Sequence, residues 1–101
     1  MDKVTVDLRD GFYRDEVILS VPGGAVLARE SDVTTRTQIG FARSIELPLP
    51  AAATRIRVEI ATQGRQRDID LPPARPLWIG ISLRDDGEIE ARIQQEPFGY
   101  L

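Results

Sequence analysis

Histidine, cysteine and asparagine are absent from the 101 residues of this chain. Without histidine or cysteine, only carboxylates and Lys3 remain to activate a Ser or Thr hydroxyl, and Lys3 lies near a terminus, where a depressed pKa is not expected. The same absences remove the imidazole and thiolate ligands that zinc, copper and iron prefer. We therefore predict no catalytic residues, no cofactor and no metal site, and we do not expect an enzyme.

Excess basic charge and long apolar runs are also missing. The chain has 13 basic and 16 acidic residues, a net charge of −3, so no overall field attracts nucleic acid or an anionic membrane. Its apolar runs are too short to span a bilayer, and the first residues do not form an apolar signal segment. We predict neither a nucleic-acid nor a membrane partner. The lack of cysteine favours a reducing compartment, here the cytoplasm. The excess of Arg and Ala is typical of GC-rich bacterial genomes and carries no functional weight.

Alternation of apolar and polar residues with a period of two runs through most of the chain. The predicted strands cover residues 4–8, 17–21, 25–30, 44–49, 55–60, 68–71, 77–83 and 89–93. The polar segment 31–41 fits either an edge strand or a long loop. Pro48 lies within its predicted strand and makes that strand an edge, since it cannot donate to a ladder. Seven or eight strands predict one all-β domain over residues 1–101, an immunoglobulin-like or transthyretin-like antiparallel β-sandwich.

The apolar phase of these strands also predicts the core. The expected core residues are Val4, Val6, Val17, Leu19, Ile45, Leu47, Ile56, Val58, Ile60, Leu77, Ile79, Ile81, Ile89 and Ile93. Stiff connections punctuate the strands, in particular the prolines of segment 72–76 and the Asp85-Asp86-Gly87 hairpin turn.

The middle of the chain resembles transthyretin-like sandwiches, including carboxypeptidase regulatory-like and Cna B-type modules. In those families a Thr-rich strand leads through Gly and Ala to a Leu-Pro turn and an alternating strand. The matching residues here are Thr35, Gly40, Ala42, Leu47, Pro48 and the strand 55–60. The resemblance covers about a quarter of the chain and implies a fold, with no transferable function. Two chemistries of these families lack their residues here, because the isopeptide bond of Cna B-type modules needs Asn and hydroxyisourate hydrolases use His.

Two charged clusters have an ordinary explanation. Asp85, Asp86, Glu88 and Glu90 carry oxygen ligands suited to calcium, but their spacing is that of a hairpin turn followed by a solvated strand face. Four arginines are candidates for a basic stripe on one outer sheet face: Arg55, Arg57, Arg65 and Arg67. The acidic residues expected on that same surface are Glu59, Asp68 and Asp70. We predict cross-strand Arg–carboxylate pairs there instead of a nucleic-acid site.

Trp78 is the residue that points to a binding surface. The apolar phase of strand 77–83 places Trp78, Gly80 and Ser82 on its outer face, with open backbone at Gly80. The alternative is that Trp78 is covered locally, by the proline-rich segment 72–76 or by Phe98 and Tyr100 near the end of the chain. An uncovered tryptophan often marks a partner or carbohydrate surface.

These observations leave three hypotheses of function. The first is a non-enzymatic interaction module that binds an unknown protein partner or a second copy of itself, as a weak homodimer through an edge strand or the Trp78 face. The second is carbohydrate or small-ligand binding at that face, for which a single aromatic platform is poor support. The third, a weak hydrolase, has no catalytic residues to support it. The predicted interaction surface is Trp78, Gly80, Ser82, Phe98 and Tyr100.

Overall fold

A computed structural model describes residues 3–50 and 52–99 of the chain. These residues form eight strands: β1 (Val4–Leu8), β2 (Asp15–Ser20), β3 (Val26–Val33), β4 (Arg43–Leu47), β5 (Arg55–Ile60), β6 (Arg65–Asp70), β7 (Leu77–Leu83) and β8 (Ile89–Gln94). One short 3₁₀ turn, Ala61–Gln63, joins β5 to β6. The all-β prediction is confirmed, and eight is the upper of the two predicted strand numbers.

The strands form two four-stranded sheets that pack as a sandwich. Sheet A has the order β4-β1-β7-β8, and sheet B has the order β3-β2-β5-β6. Neighbouring strands run antiparallel in both sheets, with the exception of β1 and β7, which pair in parallel. β1 and β7 therefore run in the same direction through the centre of sheet A.

The predicted core is buried between the sheets, except for Ile45 and Ile93 on the edge strands β4 and β8, which are only partly buried. Further apolar residues complete the core: Leu8, Phe12, Val33, Ile69, Leu71 and Leu83. Alternation explains the pattern, since strands of a sandwich present every second side chain to the opposite sheet. The inward residues of the central strands are therefore all buried, whereas the edge strands carry both buried residues, such as Leu47 and Ile89, and partly buried ones, such as Ile45 and Ile93.

The Trp78 strand does not lie at an edge. β7 is bonded on one side to β1 and on the other to β8, so association through an edge strand cannot use β7. Only its outer face remains available. The prediction that the strand next to Pro48 lies at an edge is confirmed. β4 is an edge strand of sheet A, and Pro48 directly follows its final residue.

The arginines of β6 do not join those of β5 on one face. In the β5–β6 ladder, Arg67 is opposite Val58 and Arg65 is opposite Ile60, and both of those β5 residues point into the core. Arg65 and Arg67 therefore lie on the inward side of an edge strand, and the four-arginine stripe is wrong. Inward-pointing charge on an edge strand discourages pairing with another chain.

Arginines link the two sheets at both open sides of the sandwich. Arg67 Nη1 donates to the Ile89 carbonyl of β8 at 2.7 Å. On the opposite side, Arg43 Nη1 of β4 donates to Glu30 Oε1 of β3 at 2.8 Å. Each contact joins an edge strand of one sheet to an edge strand of the other, where the apolar core thins out.

The segment around residues 31–41 combines both predicted alternatives. β3 extends to Val33, three residues beyond the predicted strand, and its pairing with β2 is interrupted by register shifts. After Val33 the chain forms a loop closed by an isolated bridge between Arg36 and Phe41. The Thr35 hydroxyl holds this loop in place, because it accepts from the Phe12 amide at 3.0 Å and donates to the Arg9 carbonyl at 2.6 Å.

Candidate functional site on the outer face of sheet A

The outer face of sheet A is set by the register of its strands. Trp78 of β7 lies beside Thr5 of β1 and opposite Gln94 of β8. Two residues further along β7, Gly80 lies beside Asp7. Since side chains alternate along each strand, these residues share the face that points away from the core. We call this surface the Trp78 face and define it by Thr5, Asp7, Trp78, Gly80, Ser82 and Phe98.

The predicted surface residues do come together on this face, with one outside the described residues. Trp78 and Ser82 are half-buried, whereas Gly80 is buried. Phe98 returns over the sheet, so that a Cβ atom added to Gly80 would lie 2.9 Å from its Cζ. The sequence predicted open backbone at Gly80, and this is wrong, because the Phe98 ring covers the backbone there. Tyr100 lies outside the described residues.

The segment that carries Phe98 is turned back by the end of β8. The Gln94 side-chain amide donates to the carbonyls of Glu96 at 2.7 Å and Pro97 at 3.2 Å. These bonds close a turn immediately after the strand and direct the chain across sheet A. Gly80 is the residue that permits the close approach, because any side chain there would push the Phe98 ring away from the sheet.

Arg9 holds the other side of the Phe98 ring. Its guanidinium carbon lies 4.7 Å from the ring centroid, within the range of a cation–π contact. Arg9 Cδ also lies 2.9 Å from the position of a Cβ on Gly80, so the stem of Arg9 and the ring together fill the space above that glycine. Sequence reasoning missed Arg9 because it lies just beyond the predicted strand 4–8, outside any predicted face.

Thr5 and Asp7 are buried polar residues beneath this cover, with 8% and 5% of their surface exposed. The Ser44 hydroxyl of β4 donates to Asp7 Oδ1 at 2.7 Å. Thr5 Oγ1 is buried without a hydrogen-bond partner in residues 3–50 and 52–99. Sequence reasoning missed the burial of Thr5 and Asp7, because the alternation of β1 places them on the side facing away from the core.

The outer face of sheet B is different in chemistry. Arg57 Nε lies 2.7 Å from Asp68 Oδ1, and Arg55 Nε lies 2.7 Å from Asp70 Oδ1. The predicted cross-strand pairs are thus confirmed for the two arginines of β5. The hydrogen bond from Arg57 lowers the pKa of the Asp68 carboxyl below its ordinary value of 3.8. The arginines and aspartates of this face neutralise one another, and we assign no binding role to the face.

We expect thermal melts to be nearly the same from pH 6 to pH 8. Because the pKa of Asp68 is lowered in the folded state, its contribution to stability is complete above its unfolded pKa and is lost only as the pH falls through the folded one. The melting temperature should therefore fall below about pH 4. Asp68→Asn should make the melting temperature less dependent on pH in that range. Differential scanning calorimetry across this range is the measurement. A clear change in melting temperature between pH 6 and 8 would contradict this prediction.

The acidic hairpin is engaged in its own turn. Asp86 Oδ1 accepts from the Glu88 amide at 3.0 Å, and Arg84 lies 3.9 Å from Asp86 and 3.8 Å from Glu90. Across the described residues, no group of three acidic, His or Cys side chains is placed to hold a metal ion. The hairpin therefore gives no geometric support to a calcium site.

No family model, curated protein or solved structure matches this chain. The resemblance to transthyretin-like modules accordingly stays a prediction. Within residues 3–50 and 52–99, there is no helix of the length and apolar character needed to cross a membrane.

Proposed function

We propose that the protein is a non-catalytic interaction module that binds a protein through the Trp78 face, a second copy of the chain being the partner. The contrast between the two outer faces supports this function. Sheet B is covered by charges that pair with one another, whereas sheet A presents Trp78 on the same face as the Phe98 ring and the Arg9 guanidinium. Tryptophan and arginine are the residues enriched at the centres of protein interfaces.

The partial burial of Trp78 fits such a surface. The residue is half-buried, so part of it is already packed on the protein while part remains for a partner to cover. A homodimer is the simplest assembly that covers a face of this kind, since two-fold symmetry makes one surface serve as both halves of the contact.

Carbohydrate binding at the same face has weaker support. Sugar platforms use aromatic rings with an open face, and the Phe98 ring is flanked by Gly80 and by Arg9. Among the described residues of this face, Trp78 is then left as the single platform. Binding to a glycan array by wild-type protein, abolished by Trp78→Ala, would favour this alternative.

We expect Trp78→Arg to shift the protein toward monomer without unfolding it, because Trp78 lies outside the buried core. Sedimentation velocity at increasing concentration measures the effect. Ile18→Arg is the matched control, since Ile18 is a half-buried apolar residue on the outer face of sheet B. A strict monomer in the wild-type protein overturns the association. If Trp78→Arg unfolds, Ser82→Arg tests the same face with a smaller change.

A further inference from the structure

The free edge of β8 is the least protected of the four sheet edges. β4 is followed directly by Pro48, β3 has register shifts, and β6 carries inward arginines. β8 has neither proline nor inward charge, because its inward residues are Ile89, Ala91 and Ile93. No further strand lies beside β8 within the part of the chain that the structure describes. Natural proteins usually protect such an edge.

The backbone of β8 presents alternate residues to this edge. At the hairpin, the Arg84 amide donates to the Glu88 carbonyl, and the ladder continues with Ser82 opposite Glu90 and Gly80 opposite Arg92. Hydrogen-bonded pairs alternate with non-bonded pairs in an antiparallel ladder. The amides and carbonyls of residues 89, 91 and 93 therefore face away from β7. The bond from Arg67 reaches the Ile89 carbonyl from this free side, which confirms the direction.

The sequence of this strand is complementary to itself. Residues 89–93 read Ile-Glu-Ala-Arg-Ile, with Glu90 and Arg92 placed symmetrically about Ala91. We propose that β8 pairs antiparallel with β8 of a second copy about a two-fold axis at Ala91, so that sheet A continues from one copy into the other. In this register Glu90 of each copy lies opposite Arg92 of the other, and Ile89 lies opposite Ile93.

The charges select this register over its neighbours. Centring the axis on Glu90 places two glutamates opposite each other, and centring it on Arg92 places two arginines opposite each other. Like charges directly opposite each other destabilise a strand pair. Within β8, the axis at Ala91 is the one that opposes Glu90 to Arg92, and it also aligns the free backbone groups of residues 89, 91 and 93 with their equivalents.

The existing contacts of β8 are compatible with this pairing. Glu90 is exposed and lies 3.8 Å from Arg84, an ion pair too exposed to hold it away from a partner. The Ile89 carbonyl can keep its bond from Arg67 while it accepts a second one from the partner strand, because a carbonyl oxygen has two lone pairs. This surface is separate from the Trp78 face and has a different two-fold axis, so the edge pairing is a second contact that joins the dimers of the proposed function into larger assemblies.

Charge reversal tests the register directly. In the Trp78→Arg background, where the face contact is removed, we expect Glu90→Arg and Arg92→Glu each to raise the dissociation constant of the edge dimer by about tenfold or more, because each replaces two opposite-charge pairs by two like-charge pairs. The double variant Glu90→Arg/Arg92→Glu should restore association, since the pairs form again with their signs exchanged. Glu59→Arg, a charge reversal on the outer face of sheet B, is the control and should leave the mass unchanged.

Mixing the two single variants gives the sharpest result. In the same Trp78→Arg background each should be monomeric alone, and the equimolar mixture should dimerise, because arginines at 90 and 92 of one copy then meet glutamates at 92 and 90 of the other. Sedimentation velocity measures all three samples. Failure of the mixture or of the double variant to dimerise overturns the edge pairing. If Trp78→Arg alone abolishes dimers, the proposed function stands without this edge, and a wild-type monomer overturns both.

Discussion

Ile79→Ala and Val58→Ala should each lower the free energy of unfolding by about 2–4 kcal/mol. Both side chains are fully buried, Ile79 in sheet A between Val6 and Ile93, and Val58 in sheet B opposite Leu19. Truncation removes the transfer free energy of the lost methyl groups and leaves a cavity that two packed sheets cannot close. Urea unfolding followed by circular dichroism measures the change.

Val26→Ala provides the matched control for this prediction. Val26 belongs to the edge strand β3 and is 56% exposed, so the same chemical change removes little buried surface. We expect its effect to stay within about 0.5 kcal/mol. Costs near zero for both core variants would mean that the two sheets do not pack on these residues.

The period of two predicted the strands because one face of nearly every strand is apolar. The interior faces of β2, β5 and β7 followed at once from Val17, Ile56 and Ile79. Strand order could not follow in the same way, because alternation specifies which side chains point inward and not which strands are neighbours. The parallel pairing of β1 with β7 joins residues more than seventy positions apart, and no local pattern marks it.

The error at β6 had a usable indication in the sequence. This strand reads Arg-Gln-Arg-Asp-Ile-Asp, and its single apolar residue, Ile69, sets the phase. Counting back by twos from the buried Ile69 places Arg67 and Arg65 on the inward side, as the structure shows. A charged strand at the edge of a sandwich can point arginines inward because their guanidinium groups reach the open side, where Arg67 finds the Ile89 carbonyl.

The candidate site could be predicted only in outline. The alternation of β7 placed Trp78, Gly80 and Ser82 on one face, and the register agrees. The approach of Phe98 to Gly80 depends on a turn after β8 that returns the chain across the sheet. A contact of that kind is fixed by tertiary packing, so neither its existence nor the burial of Thr5 and Asp7 beneath the same face can be read from local periodicity.

Gly11→Ala should destabilise the protein by about 3 kcal/mol or more. Gly11 has a φ of 91° in the connection between β1 and β2, where the chain leaves sheet A for sheet B. A Cβ added there would clash with the oxygen of the Leu83 carbonyl of β7 and would lie 2.8 Å from its carbon. The clash involves backbone on both sides, and the Leu83 amide is itself bonded to the Asp10 carbonyl at 2.8 Å. Neither segment can move without breaking that bond.

Gly23→Ala separates the two causes of this cost. Gly23 also has a positive φ, 74°, but a Cβ added there would have no atom within 4 Å. Its substitution should therefore cost only about 1 kcal/mol, the penalty for a left-handed backbone at alanine. Urea unfolding of both variants at one pH gives the difference, which we assign to the contact between the β1–β2 connection and the end of β7. Equal costs for the two variants would show that this contact is not formed.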